Sequence, residues 1–153
     1  MINARLALES DSKVIFTWRN DGLTRSMSLN TDLVAWDGHV KWFESTLKNP
    51  NRILIMCLLA ETKNRVAIVR FDVQGTRALV SINLAPSMRG KGLGKKCLSE
   101  SIKFFKENYS FVKALDAEIK DVNIASISSF ESIGFTKIKE EQGLLHFEYF
   151  VSE

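Results

Sequence analysis

Several features that identify common classes of protein are scarce in this sequence. Its 153 residues include only two cysteines and two prolines, which excludes a disulfide-rich framework and a proline-rich linker. There is no run of about 18 apolar residues, and this excludes a transmembrane helix. His39 and His146 lie far apart with no cysteine pair nearby, so we expect no metal site. We therefore expect one soluble globular domain, residues 1–153.

Excess charge of one sign is also lacking, because the net charge is only +3. Lysines alternate with acidic residues and form no basic stripe, so we expect neither a nucleic-acid partner nor a membrane partner. No basic region followed by a long apolar one opens the chain, and both cysteines resemble buried thiols. We therefore expect a cytoplasmic protein. Basic residues concentrate only between Arg89 and Lys96, which suggests a small anionic ligand.

The hydrophobic pattern that is present predicts a mixed α/β sheet flanked by helices. After a strand at 4–9 and a helix at 11–20, a second helix is predicted at 35–49, with an apolar face formed by Trp36, Val40, Phe43 and Leu47. Three strands on short turns, a helix of about four turns, a strand, a short helix and two strands follow. The last segment, 144–153, could pair with a second subunit, so the chain is predicted to be a monomer or a homodimer.

The segment "RGKGLGKK" places three glycines at the start of the four-turn helix. Glycines at 90, 92 and 94 allow backbone N–H groups to converge on an anion, and the helix N-terminus favours negative charge. A Walker A loop would need four residues between its glycines, and a dinucleotide fingerprint would follow the first strand of a βαβ unit. Neither fits, so the segment predicts a pyrophosphate site of another kind. The alternative is a basic turn that only caps the helix.

Two motifs in this order resemble those of the GCN5-related N-acetyltransferases (GNAT). "RGKGLG" is similar to their R/Q-x-x-G-x-G/A motif, and "NIASISSFESIGF", residues 123–135, is similar to their N-x-x-S…F/Y-E-x-x-G-F motif. The resemblance covers nearly the whole chain. It implies an acyl-CoA N-acyltransferase fold with a mostly antiparallel sheet that splays at strands 4 and 5. It also implies an N-acetyltransferase that uses acetyl-CoA as acetyl donor and needs no metal.

The same resemblance assigns the cofactor-binding residues. Main-chain groups would contact the pantetheine arm and the pyrophosphate at Leu84, Ala85, Arg89, Gly90, Lys91, Gly92, Leu93, Gly94 and Lys95. On the far side, Asn123, Ser126 and Phe130 would border the cofactor, although an N-cap and a solvated helix face are alternatives for the first two. Many family members have a tyrosine in place of Phe130 as general acid, so no acid is assigned here.

Two residues are predicted to carry the chemistry that removes a proton from the acceptor ammonium. Ser81, on a central strand, could hold a relaying water, and Glu118, on the strand across the splay, is the first candidate base. Asp72 is the second candidate, and each carboxylate has the alternative of being a solvated strand residue.

The N-terminal half carries a further resemblance. "WRND", "HVKWF" and "NPN" are similar to the acetyltransferases of pseudaminic acid biosynthesis, which act on the 4-amino group of a UDP-linked deoxyamino sugar. This implies a UDP-amino sugar as the small-molecule acceptor, bound by Arg19, Asn20, His39, Trp42 and Arg70. A peptide acceptor, as in the ribosomal-protein N-terminal acetyltransferases, and a non-catalytic acyl-CoA-binding module are the alternatives.

Overall fold

A computed structural model describes residues 1–151 of the chain. The strands are β1 (Ile2–Leu6), β2 (Arg52–Leu59), β3 (Arg65–Gln74), β4 (Arg77–Leu84), β5 (Ala114–Lys120), β6 (Thr136–Glu141) and β7 (Leu144–Phe150). The helices are α1 (Ser12–Arg19), α2 (Gly22–Met27), α3 (Trp36–Lys48), α4 (Leu93–Asn108) and α5 (Ile124–Ser132). Apart from α2, all of these elements were predicted from the sequence.

One seven-stranded sheet in the order β1-β2-β3-β4-β5-β7-β6 forms the centre of the fold. All neighbouring strands are antiparallel except β4 and β5, which are parallel. Their pairing covers only three positions and ends at Leu79 and Asp116, although β4 continues to Leu84 and β5 to Lys120. The two strands therefore diverge, which confirms the predicted splay and opens a V-shaped slot in the middle of the sheet.

Helices cover both faces of the sheet and divide the core into two parts. On one face, α4 and α5 bury the larger cluster, which includes Leu98, Phe105 and Phe130. On the other face, α1 and α3 bury a smaller cluster around Trp18 and Phe43. The burial of Trp18 agrees with its position on the apolar side of its helix. Ser81 and Glu118 lie on the α1–α3 face, on opposite arms of the slot.

The structure corrects two expectations from the sequence. The buried side of α3 consists of His39, Phe43 and Thr46. Trp36 and Leu47, which were predicted on the apolar face, are exposed. The buried side includes His39 because its imidazole packs among aromatic rings. The segment 144–153 offers no free edge over its described part, since β7 lies between β5 and β6; residues 152 and 153 lie outside the described range. Within residues 1–151, no helix has the length and apolarity to cross a membrane.

Candidate active site

The glycine-rich turn forms an open cradle at the start of α4. Gly90 and Gly92 have φ of 74° and 71°, and a Cβ at either position would meet no atom within 4 Å. Gly92 is the N-cap of α4, and no side chain caps the first amides of that helix. These amides therefore face open space beside the exposed side chains of Lys91 and Lys95. The turn fits a diphosphate, which accepts hydrogen bonds from N–H donors and is attracted by lysine charge.

The third glycine has a packing role in addition to the main-chain contact predicted for it. A Cβ on Gly94 would lie 3.3 Å from Oγ of Ser129 in α5, so Gly94 permits the close approach of α4 and α5. It has ordinary helical backbone, whereas Gly90 and Gly92 are left-handed. The sequence spacing did not separate these two uses of glycine.

Backbone groups on β4 line the slot. The N–H of Ala85 donates to Val66 O at 2.8 Å, and its C=O accepts from Met88 N at 2.9 Å. Ala85 therefore has no free N–H for a pantetheine arm, although the resemblance predicts a main-chain contact there. Since consecutive strand residues direct their backbone groups to opposite edges, those of Leu84 and Ile82 point into the slot. Ile82 is a candidate that the motif did not indicate.

Helix α5 presents its predicted residues in three different ways. The Oδ1 atom of Asn123 accepts from Ser126 N at 3.2 Å, so Asn123 is the N-cap of α5. Ser126 is half-buried beside it. Phe130 is 2% exposed and packs edge-to-face on Phe135 with ring centroids 4.9 Å apart. Phe130 therefore contributes apolar packing beneath the slot and no proton donor.

The two candidate catalytic side chains project from the arms of the slot toward the α1–α3 face. Ser81 is exposed on β4, and Glu118 is exposed on β5, directly opposite His146 of β7 in the strand register. Asp72, the alternative base, lies 3.2 Å from Nε of Arg70 and 3.7 Å from Nε of Arg52. Because two guanidinium groups hold the Asp72 carboxylate, Glu118 is the freer base.

A cationic side chain, Arg19, lies at the end of α1. The guanidinium of Arg19 lies over the ring of Trp42, 4.2 Å from its centroid, and Nη1 lies 2.9 Å from Nδ1 of His39. No carboxylate in residues 1–151 is within ion-pair distance of Arg19. Burial, and then the charge of Arg70, lower the pKa of Arg19, but an arginine remains cationic at neutral pH.

His39 orients Arg19 and does not face the acceptor side directly. Its Nε2 lies 2.9 Å from the carbonyl oxygen of Ser12, which can only accept, so Nε2 carries the proton and Nδ1 accepts from Arg19. The imidazole is fully buried, and this burial is the main cause that lowers its pKa. Direct contact of His39 with an acceptor, as predicted, is therefore wrong, since the side chain has no exposed surface.

Two further predicted acceptor contacts are placed differently from each other. The side-chain amide of Asn20 is occupied by Val34, accepting from its N–H at 2.7 Å and donating to its C=O at 2.8 Å. Asn20 therefore fixes the segment that follows α2 rather than presenting a free amide. Arg70 lies opposite Ser81 in the register of β3 and β4, on the face that Arg19 shares. Its Nε makes no aligned hydrogen bond.

A polar group that sequence reasoning missed surrounds α2. Asp21 caps α2 by accepting from Thr24 N at 3.1 Å and forms an ion pair with Arg89. Thr24 Oγ1 donates to Oδ1 of Asn83 on β4 at 3.3 Å. Only the N-cap character of "ND" before a glycine could have indicated this helix, and no local signal indicated its partners. Among the described residues, no cluster of three metal-ligating side chains is present.

Comparison with known proteins identifies the family to which the chain belongs. The model described as "Acetyltransferase (GNAT) family" matches residues 15–135. An uncharacterized protein of Methanocaldococcus jannaschii is 29% identical over 141 residues, which cover 89% of this chain but 28% of that protein. The chain therefore spans less than a third of the length of this curated relative.

Solved structures share the same fold over nearly their full length. A domain from Methanocaldococcus jannaschii has a TM-score of 0.85 at 25% identity, covering 99% of both chains. Spermidine N-acetyltransferase from Vibrio cholerae has a TM-score of 0.87 at 15% identity, covering 97% of this chain and 95% of that one. Campylobacter jejuni N-acetyltransferase PseH, solved with acetyl coenzyme A, has a TM-score of 0.76 at 14% identity, covering 99% and 100%. The last two identities support likeness of fold alone.

Proposed function

The chain belongs to the acetyltransferase (GNAT) family, and on that premise we propose that it acetylates the 4-amino group of a nucleotide-linked deoxyamino sugar. The donor for this family is acetyl-CoA, and the reaction class is acetyl transfer to an amine. The coarser assignment to an N-acetyltransferase follows from the family. The choice of a sugar nucleotide as acceptor depends on the residues that surround the slot.

The cradle and the slot suit the two ends of the donor. Amides at the start of α4, with Lys91 and Lys95, would bind the pyrophosphate of acetyl-CoA. The backbone groups of Leu84 and Ile82 would accompany the pantetheine arm to the point where β4 and β5 diverge. Asn123 and Ser126 would border the arm from α5. In this arrangement the thioester carbonyl lies between the arms that carry Ser81 and Glu118.

The exposed carboxylate of Glu118 is the proposed general base. The acceptor ammonium gives its proton to Glu118, directly or through a water held by Ser81. The amine nitrogen then forms a bond to the thioester carbon, and the carbon–sulfur bond breaks. The nitrogen then releases its second proton, and the departing coenzyme A thiolate takes up that proton by way of solvent, because Phe130 offers none and a thiol with a pKa of about 8.5 is protonated at neutral pH.

One observation carries the choice of acceptor, namely the unpaired guanidinium of Arg19. It is fixed by a ring face and an imidazole nitrogen and has no carboxylate partner in the described chain. A half-buried cation of this kind is stabilised by an anionic ligand. Arg70 lies nearby, although Asp72 pairs with it, and Trp42 adds an aromatic side chain on which Arg19 rests. A nucleoside diphosphate linked to an amino sugar supplies the anion, the ring and the amine.

The proposal is tested by thiol release from acetyl-CoA with three acceptors measured in parallel. These are a UDP-4-amino-4,6-dideoxy sugar, the same amino sugar without its nucleotide, and a peptide with a free N-terminal alanine or serine. We expect turnover with the sugar nucleotide and a much higher KM for the free sugar. Turnover with the peptide alone would overturn the sugar assignment. Binding of acetyl-CoA without turnover of any acceptor would favour a non-catalytic module.

A further inference from the structure

Helix α2 makes polar contacts with the cradle and with both arms of the slot, but it contains no buried residue. It contains six residues, Gly22–Met27, none of which is buried. A helix this short is not stable by itself in water, and here burial of apolar side chains does not hold it. Its position therefore depends on polar contacts, and these come from the cradle and from both arms of the slot.

The contact with the cradle is made by Arg89. This residue opens the glycine-rich motif, yet its guanidinium pairs with Asp21 and donates to Thr24 Oγ1 at 3.0 Å. The Arg89 side chain is 32% exposed and that of Asp21 is 24% exposed, so the pair is partly removed from water. The hydrogen bond from Arg89 is the main cause that lowers the pKa of Asp21. The charge of Arg89 is thus directed at α2.

The contacts with the slot continue from the same helix. Thr24 accepts from Arg89 and donates to Asn83 on β4 at 3.3 Å, which links the cradle, the helix and one arm. At the other end of α2, the C=O of Ser26 accepts from Nζ of Lys120 on β5 at 3.1 Å. Helix α2 therefore spans the slot from arm to arm on the face where the acceptor would enter.

We propose that Arg89 and Asp21 are positioning residues for acceptor binding, and that Arg89 is not a ligand of the cofactor's phosphates. The pair fixes α2 across the slot, so the loop that receives acetyl-CoA also assembles the acceptor side. This inference rests on the proposed function for its acceptor, but not for its donor. It divides the motif's cations into two groups, with Lys91 and Lys95 serving the donor and Arg89 serving the acceptor.

The test uses Arg89→Gln, Asp21→Asn and Lys91→Gln, each checked for an unchanged Tm. Asp21→Asn keeps an oxygen that can cap Thr24 and removes only the charge of the pair. In the first two variants we expect an acceptor KM raised about ten-fold, with kcat and the Kd for acetyl-CoA each changed less than about two-fold. Lys91→Gln should give the opposite result, a weaker Kd for acetyl-CoA and an unchanged acceptor KM.

Amide hydrogen exchange can be measured without an acceptor. It therefore tests the role of Arg89 and Asp21 even if the acceptor is not a sugar nucleotide. Amides of residues 22–27 should exchange faster in Arg89→Gln and Asp21→Asn than in the wild-type protein, while those of α4 should not. The conservative variant Arg89→Lys, which keeps the positive charge and leaves the Asp21 cap in place, should retain part of the protection. Weakened acetyl-CoA binding in Arg89→Gln, with unchanged exchange in α2, would overturn the proposal and make Arg89 an ordinary phosphate ligand.

Discussion

The donor side and the acceptor side of this site are built in different ways. The proposed cradle is one continuous stretch, residues 90–95, whose binding groups would be main-chain amides made accessible by two left-handed glycines. The proposed acceptor side consists of side chains from separate elements, with Arg19 on α1, Trp42 on α3 and Arg70 on β3. The comparison shows that a backbone site depends on local conformation, whereas a side-chain site depends on how distant segments pack.

The difference predicts where each side is vulnerable. A cradle of amides tolerates many side chains but no obstruction at Gly90 or Gly92. The acceptor side, by contrast, should lose function when the charge of its guanidinium groups is removed. It should also lose function when the imidazole or indole that orients Arg19 is removed. Variants that affect one side only would support this division, and variants that affect both sides equally would contradict it.

The largest effect is expected on the donor side, from Gly92→Glu. A carboxylate in the cradle repels the pyrophosphate, so we expect the Kd for acetyl-CoA to rise about a thousand-fold in a calorimetric titration. Gly75→Glu is the matched control, because Gly75 has a similar φ of 64° in the turn between β3 and β4. The control should lose stability through the same backbone strain and keep its Kd.

Between the two sides, Glu118→Gln should lower kcat about a hundred-fold by removing the base, with little change in either binding constant. Steady-state kinetics with both substrates varied would measure this. Asp116→Asn is a control two residues earlier on the same face, where the carboxylate is bound by Arg77 at 2.6 Å. That variant should lose stability and retain kcat. An unchanged kcat in Glu118→Gln would show that Glu118 is not the general base and that water or another residue accepts the proton.

On the acceptor side, Arg19→Gln should raise the KM of an anionic acceptor about ten-fold and leave the Kd for acetyl-CoA unchanged. Arg19→Lys should restore little, because an ammonium lacks the planar fork that contacts both Trp42 and His39. Lys41→Gln removes one positive charge from the exposed side of α3 and serves as the control. An equal loss in that control would mean that only the overall charge of the face matters.

The smallest effect is expected from the titration of His39. Burial lowers its pKa in the folded protein, so below pH about 6.5 the unfolded chain takes up a proton that the folded chain does not. This contribution to stability is complete above that pH and is lost as the pH falls toward the lower, folded value. The free energy of unfolding should be measured between pH 5 and 8, a range set by the ordinary imidazole pKa. It should change more steeply with pH in the wild-type protein than in His39→Gln. Equal slopes would place the titration elsewhere.

Prediction from the sequence was most successful where the structure is local. The helix N-cap at Asn123 and the turn at Gly90–Gly92 follow from neighbouring residues, and the splay after β4 follows from the family resemblance; the structure agrees with each. The errors lie where packing decides. His39 looked available beside Trp42, but four aromatic side chains of α1 and α3, Trp42 among them, enclose it.

The features that the sequence did not reveal at Gly94 and at polar side chains have the same origin. Gly94 looked like its two neighbours in the motif, yet it permits contact with Ser129, 35 positions further along the chain. Asn20 looked like a free amide, yet Val34 occupies it. Helix α2 was not predicted, because six residues without an apolar face carry no periodic signal. In each instance the residue depends on a contact with a residue too far along the chain for a short sequence pattern to include.

By itself, the sequence determined the order of the elements, the family and the glycine turn that is the proposed anion site, because periodicity, caps and glycine motifs act through adjacent residues. The tertiary structure alone decided which side chains meet across the slot, which histidine nitrogen carries the proton, and that Arg89 pairs with Asp21. The physical reason is that charge and burial act through space, and the sheet brings together segments that are far apart along the chain.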